Sequence, residues 1–238
     1  MSKKTNIPER CLREERPEHY KEFNISLDIQ TLLEEKNNVP WTRQTKKYHP
    51  SSIKGCKRSL YYDRIGTSPK ACVTPDKRIL FDLGHAVHGY VENLLAKFPD
   101  FESEVPVSFE PLNIHGHCDG VFRNEDWVLE VKSIGDASFS TLVRPKIEHV
   151  WQIHCYMFAL DIPRCQLLYV NRSNGSMRLF RVYFDNDIWD QITAVIREVE
   201  ECVSNKTPPA KEINYFHCSI CKFRYTCEPD LRRKPRRK

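Results

Sequence analysis

The stretch GHCDGVFRNEDWVLEVKS, residues 116–133, places two carboxylates and a lysine where they can act together. Period-two alternation on either side of RNED reads as a β-hairpin. A turn centred on Asn124 and Glu125, or a four-residue loop with the same centre, pairs Val121 with Val128. That register sets Asp119 opposite Glu130, with Lys132 one step along the same face. Directly opposed β-carbons are about 5 Å apart, and like charges there repel. A divalent cation between the carboxylates removes the conflict, and acidic oxygen ligands suit Mg²⁺ or Mn²⁺. An exposed strand pair with alternating polar residues would give the same pattern. Glu130, however, sits among Val128, Leu129 and Val131, a run that reads as buried, and a buried Glu and Lys are costly unless paired or working. The pattern favours catalysis.

A second cluster lies near the C-terminus, where FHCSICKFRYTC carries Cys218, Cys221 and Cys227 as C-x2-C-x5-C. Three thiols this close usually hold a metal, and a closed four-thiolate site needs one more. Zinc and an iron–sulfur cluster both accept four thiolates, so spacing alone leaves the occupant open. The chain has 10 cysteines, its polar start MSKKTNIPERC is no secretory signal, and it has no apolar run of the ~18 residues a membrane span needs. A reducing, cytoplasmic setting is expected, with thiolate–metal chemistry rather than a disulfide framework. Cys118, Cys155 and Cys165 lie in apolar stretches and read as small buried hydrophobes.

These groups need elements to hold them. ISLDIQTLLEEK reads as a helix, and HPSSIKGCKRSLYYDRIG as another, starting near Pro50 and stopping at Gly66. Residues 75–98 give the strongest helical pattern, with Leu80, Leu83, Val87, Val91, Leu94 and Phe98 forming one buried stripe. SEVPVSFE, IHGHCDGVF and DWVLEVKS read as three strands, KIEHVWQIHCYMFAL as a long helix, and CQLLYV and MRLFRVYF as two more strands. DNDIWDQITAVIREVEECV is an amphipathic helix with an acidic start. The expected fold class is α/β: a mixed central sheet flanked by helices.

Asp, then E-x-K at a strand end, resembles the PD-(D/E)XK nuclease superfamily, here as GHCDG and EVK. Two further motifs resemble its RecB-like branch: GHAVH, residues 84–88, and WQIHCY, with Gln152 and Tyr156 one helical turn apart. The resemblance implies a restriction-endonuclease-like core. It implies Mg²⁺ or Mn²⁺ held by His88, Asp119 and Glu130, with the backbone carbonyl of Val131 as a further ligand. Lys132 would orient or activate the attacking water, and Gln152 and Tyr156 would position the strand. His85 and His154 are competing histidines.

One subgroup of that branch, including CRISPR-associated Fe–S exonucleases, AddB-type nuclease domains and phage relatives, joins its ends through a cluster. C-x2-C-x5-C matches its closing half. The resemblance then implies a [4Fe–4S] cluster on Cys56, Cys218, Cys221 and Cys227, with a structural role. Cys72 is the runner-up for the first position, and Cys11 a weaker one.

The resemblance spans roughly residues 48–228, the expected nuclease domain, after a lead-in and helix at 1–47 and before a basic tail at 229–238. Net charge is +5, and LRRKPRRK suits a polyanion, although a solvated tail reads equally well. The partner expected is DNA, and Lys54, Lys57, Arg58, Lys222 and Arg224 could line its path. Tyr61 and Tyr62 read as base-stacking platforms or as a core pair. The activity implied is that of a metal-dependent exonuclease at DNA ends, on single strands, in recombination, repair or phage DNA metabolism. DNA trimming for CRISPR spacer acquisition is the alternative, and with it recombination or CRISPR-adaptation protein partners. A non-catalytic iron–sulfur or zinc DNA-binding protein is the rival of another class.

Overall fold

The computed structural model describes residues 25–37, 46–69, 74–211 and 215–227. Cys11, Cys72, most of the lead-in and the basic tail lie outside the described residues.

A five-stranded mixed sheet forms the centre, in the order β1 (Phe101–Phe109), β2 (Ile114–Phe122), β3 (Trp127–Ile134), β4 (Arg164–Asn171) and β5 (Met177–Tyr183). β1, β2 and β3 form an antiparallel meander, β3 and β4 are parallel, and β4 and β5 are antiparallel. The parallel pair requires a crossover. Residues 135–163 supply it through α5 (Asp136–Ser140) and α6 (Ile147–Leu160).

Alternation along β3 sends neighbouring side chains to opposite layers. Val128 joins a core with Ile153, Tyr156 and Met157 of α6. Leu129 and Val131 instead pack with Val170 against Val87, Val91 and Leu95 of α4 (Pro75–Leu95). β3 is thus covered on both faces, which explains why DWVLEV reads as a nearly continuous apolar run.

A second core joins distant parts of the chain. Tyr48, Ile53, Leu60, Tyr61 and Tyr62 pack on Trp189, Ile192, Ile196 and Val199 of α7 (Asn186–Ser204), together with Phe223. Asp185 caps α7, its side chain accepting from the Asp187 N–H at 2.8 Å. α1 (Ile25–Asn37) lies against α4, with Lys36 bonded to Asp82 at 2.7 Å. No described helix is long and apolar enough to cross a membrane.

Two sequence expectations need correction, and one open alternative, at Tyr61 and Tyr62, is decided. The segment from Pro50 to Gly66 is two helices, α2 (Pro50–Ile53) and α3 (Lys57–Arg64), broken at Lys54–Cys56. There Gly55 N donates to the Ser52 carbonyl at 2.9 Å, and an added Cβ would meet that same oxygen. Gly66, at φ +75°, does end the second helix. The stripe on α4 is buried only in part: Leu80, Leu83, Leu94 and Phe98 are 43–54% exposed. Val87, Val91 and Leu95 pack on the sheet and Phe98 touches Phe122 at its rim, while the rest stay outside because apolar residues on this helix span more than one face. Tyr61 and Tyr62 form a buried edge-to-face pair at 5.5 Å and are core residues rather than stacking platforms.

Candidate active site

The β2–β3 hairpin has the expected register, with Val121 facing Val128, Gly120 facing Leu129 and Phe122 facing Trp127. Its loop spans residues 123–126 and closes through Asp126 in the left-handed region, at φ +48°. The ladder stops at Gly120. One residue further, Asp119 stands at the position opposite Glu130, but its Oδ2 accepts a 2.6 Å hydrogen bond from the Val131 N–H. The strands part there, and a carboxylate occupies the gap. Gly120 permits this local packing, since a Cβ would meet the Phe101 ring at 2.3 Å.

His88 and Glu92 approach from α4, one turn apart and therefore on one helix face. His88 Nδ1 lies 3.2 Å from Asp119 Oδ1. Burial works against protonation of His88, but its bond to Asp119 and that carboxylate's charge raise its pKa. Burial, with Glu104 and Asp119 nearby, raises the pKa of Glu92. The candidate ligand atoms of His88, Glu92 and Asp119 all lie within 4.8 Å of one another. Imidazole with two carboxylates is a donor set that suits a divalent cation. Glu92 was missed from sequence, although its place four residues after His88 on a helix was a usable signal.

Glu130 sits deeper, 2% exposed. Its Oε1 accepts from Lys132 Nζ and, at 2.7 Å, from Gln152 Nε2. Its Oε2 is buried with no hydrogen-bond partner. Burial raises its pKa, Lys132 opposes the shift and Asp119 adds to it. Gln152 also reaches Tyr156 Oη at 2.7 Å, so this α6 pair braces the carboxylate from one side. Burial pushes the Tyr156 phenol well above its ordinary range. Val131 touches the site through its N–H, while its side chain belongs to the α4 core.

A cavity of about 830 Å³ joins these groups: Asp119, Glu130, Lys132, Gln152, Tyr156 and His88 all line it. His85 lines it too. His154 does not take part: its Nδ1 donates to the Val150 carbonyl at 2.7 Å and its Nε2 accepts from the Asp185 N–H.

The cysteines form a separate centre. Cys56 caps the start of α3, Cys218 lies in α8 (Tyr215–Ile220), Cys221 follows it, and Cys227 ends α9 (Arg224–Cys227). All four line one cavity of about 350 Å³. Burial pushes the Cys221 thiol up, and Cys56, Cys218 and Cys227 add to the shift. For Cys227 burial again raises the pKa, and Arg58 opposes it. The Phe223 N–H points to Cys221 Sγ at 3.4 Å. Cys118, Cys155 and Cys165 are buried elsewhere, as expected. Lys57 and Lys222 are tied to Glu198 and Asp63 at 2.7 and 2.6 Å.

No protein-family model matches the chain, and no curated protein matches its sequence. Solved structures do resemble its fold. The structure of SSO0001 superposes with a TM-score of 0.56 at 17% identity, covering 87% of this chain and 98% of that one. LHK-Exo in complex with dAMP gives 0.53 at 13% identity, covering 68% and 89%. The alkaline exonuclease LHK-Exo from Laribacter hongkongensis gives 0.51 at 12% identity, covering 67% and 91%. At these identities the likeness is one of fold: the chain shares the mixed α/β fold of these structures.

Proposed function

We propose that the protein is a divalent-metal-dependent deoxyribonuclease acting on the ends of DNA strands. The observation that carries this reading is the parted hairpin, where Asp119, Glu130 and Lys132 meet His88 in one cavity and Glu92 lies beside His88 and Asp119. A buried Glu with a bare oxygen weakens a fold unless it is used.

His88, Glu92 and Asp119 would hold Mg²⁺ or Mn²⁺, with Glu130 within the same cavity, and the carbonyl of Val131 as a further donor. A cation there supplies positive charge against the phosphate and makes a bound water more acidic. Each side chain then has a separate task. Val131 N–H fixes Asp119 Oδ2 and leaves Oδ1 toward His88. Glu130 Oε1 aims the Lys132 ammonium, which orients water and offsets charge as the water oxygen bonds to phosphorus and the bond to the leaving sugar oxygen breaks. Gln152 and Tyr156 hold Glu130 in place. Asp119 and Glu130 are 9% and 2% exposed, and such recessed groups are reached more readily by a single strand than by the flank of a duplex.

The same proposal gives Cys56, Cys218, Cys221 and Cys227 to a [4Fe–4S] cluster. Zinc held at about 2.3 Å draws four sulfurs to within about 4 Å of one another and leaves little void. The four thiols border a cavity of about 350 Å³, which has room for the larger group. Its task would be closure, since it lies apart from the carboxylates.

The test is digestion of end-labelled single- and double-stranded DNA with Mn²⁺, Mg²⁺ or EDTA, on protein purified without oxygen. Progressive release of nucleotides from single strands, dependent on metal, is expected. A brown protein absorbing near 400 nm should become colourless in Cys56→Ala and stay coloured in Cys72→Ala. Inactivity with every substrate and metal would overturn the nuclease reading, and a colourless protein with stoichiometric zinc would overturn the cluster.

A further inference from the structure

We propose that Lys47 and His115 form a backbone-phosphate anchor at the far end of the active-site cavity, gripping a DNA strand about two phosphates from the bond being cut. The inference rests on the nuclease reading above and adds the residues that would give the strand its register.

His115, His117 and Asp119 alternate along one face of β2, and all three line the cavity. At about 3.4 Å per residue, His117 stands about 7 Å from Asp119 and His115 about 14 Å. Each interval is close to the step between phosphates of an extended strand. The cavity is also polarised along this line. Its carboxylates, Glu104, Asp119 and Glu130, gather at one end; in the β1–β2 register Glu104 stands beside Asp119. Lys47, His115 and His117 occupy the other.

Lys47 is held rigidly for a surface lysine. The Tyr48 N–H donates to the Asn113 carbonyl and the His115 N–H to the Tyr48 carbonyl, both at 2.9 Å. Asn113 Nδ2 donates to the Lys46 carbonyl at 2.6 Å. The Tyr48 side chain is fully buried and its hydroxyl donates to Glu200 at 2.8 Å. These bonds lash the segment to the start of β2 and bring Lys47 Nζ to 3.1 Å from His115 Nδ1.

An ammonium offers only donors, so Nδ1 accepts and the imidazole proton sits on Nε2. That Nε2 is buried without a hydrogen-bond partner. The exposed Glu110 carboxylate lies 3.4 Å from it, so this nitrogen faces an acidic group rather than the strand. The two ring nitrogens point away from each other, so His115 holds the ammonium rather than sharing its ligand, and the two remaining Lys47 hydrogens are left to the basic end of the cavity. A phosphodiester oxygen has the charge and the acceptors to take them, and charge-assisted bonds of this kind are strong.

The test compares a dinucleotide, too short to reach the anchor, with an octanucleotide. In Lys47→Ala and His115→Ala, KM for the octanucleotide should rise about tenfold while kcat stays within about twofold. The dinucleotide kinetics should be unchanged. Without metal, anisotropy of a labelled octanucleotide should show weaker binding and, for Lys47→Ala, a salt slope reduced by about one. Lys47→Arg should restore binding, and melting curves check that each variant is folded. If a folded Lys47→Ala binds the octanucleotide as tightly as the native protein, or loses equally on both substrates, the anchor is wrong while the nuclease reading stands. If the native protein binds the octanucleotide but cuts nothing, the nuclease reading fails, and the anisotropy comparison still decides the anchor.

Discussion

The acidic cavity and the cysteine cavity are built on opposite terms. At the first, the sheet is left unfinished: the hairpin ladder stops, a carboxylate takes a backbone N–H, and Glu130 keeps a buried oxygen without a partner. At the second, the chain is drawn together. Phe223 is 1% exposed against Tyr62, and Lys222 bonds Asp63, 159 residues away in sequence. Arg64 and Glu200 add a further clasp at 2.6 Å. The first leaves an open carboxylate oxygen for a cation or substrate, and the second is closed by packing and ion pairs. The contrast predicts that substitutions at the acidic cavity cost rate and spare the fold, and that those at the cysteine cavity do the reverse.

The largest effect is expected for Lys132→Ala. Losing a positioned cation at the reacting phosphate should lower the cleavage rate about 10³-fold, measured on end-labelled DNA, with binding retained. Lys132 is also what holds the Glu130 pKa down against burial, so removing it moves that pKa further up. Glu130 then takes a proton instead of remaining a lone buried charge, and the melting temperature should change little. Unchanged cleavage would remove Lys132 from the mechanism. A collapse of the fold would break the comparison itself.

Phe223→Ala should do the opposite. Truncating a fully buried Phe costs about 3–5 kcal/mol. The urea midpoint should fall accordingly, while the rate per folded molecule stays within about twofold. A large loss of kcat in the folded fraction would mean that the two cavities are mechanically coupled.

How far sequence leads follows the same division. The hairpin register was readable because period-two alternation fixes which residues share a face, and a one-residue slip would have exposed Val121 and Val128. The parting of the strands beyond Gly120 was not, since no residue type announces where a ladder ends; it depends on Phe101 and α4 approaching from outside. The α4 stripe misled because Ile79, Leu80, Phe81 and Leu83 make the helix apolar on several sides, and periodicity cannot say which side meets the sheet. Glu92 escaped because the motif carrying His88 ends one turn too early. The nearness of Cys56 to the C-terminal cysteines came from a resemblance rather than from spacing, as a separation of 162 residues carries no local signal. Its placement at the break between α2 and α3 needed Gly55 to be read as a turn rather than as a tolerated helical glycine.

Gln152→Ala sharpens the contrast within the acidic cavity. It removes one of two donors to Glu130 Oε1 and the link to Tyr156, without touching His88, Glu92 or Asp119. Supporting contacts of this kind are worth about 10–100-fold in activity. The loss should fall in kcat and be largely recovered by Gln152→His or another donor of similar reach. A loss confined to KM would instead make Gln152 a strand contact.

The smallest effect, from Lys222→Ala, asks what closes the cysteine end. The Lys222–Asp63 pair is partly buried, at 24% and 21% side-chain exposure, and Lys222 also lies 5.0 Å from the Phe223 ring centre. Partly exposed pairs contribute about 0.2–1 kcal/mol, and a cation over a ring adds a similar amount. Chemical denaturation of Lys222→Ala, Asp63→Ala and the double variant isolates the pair from the ring contact. A coupling below about 1 kcal/mol, several times less than the cost of Phe223→Ala, would show that apolar packing closes this end and that the ion pair only selects its register. A coupling as large as the Phe223 cost would reverse that order: the ends would be held by charge, and closure should then weaken with added salt.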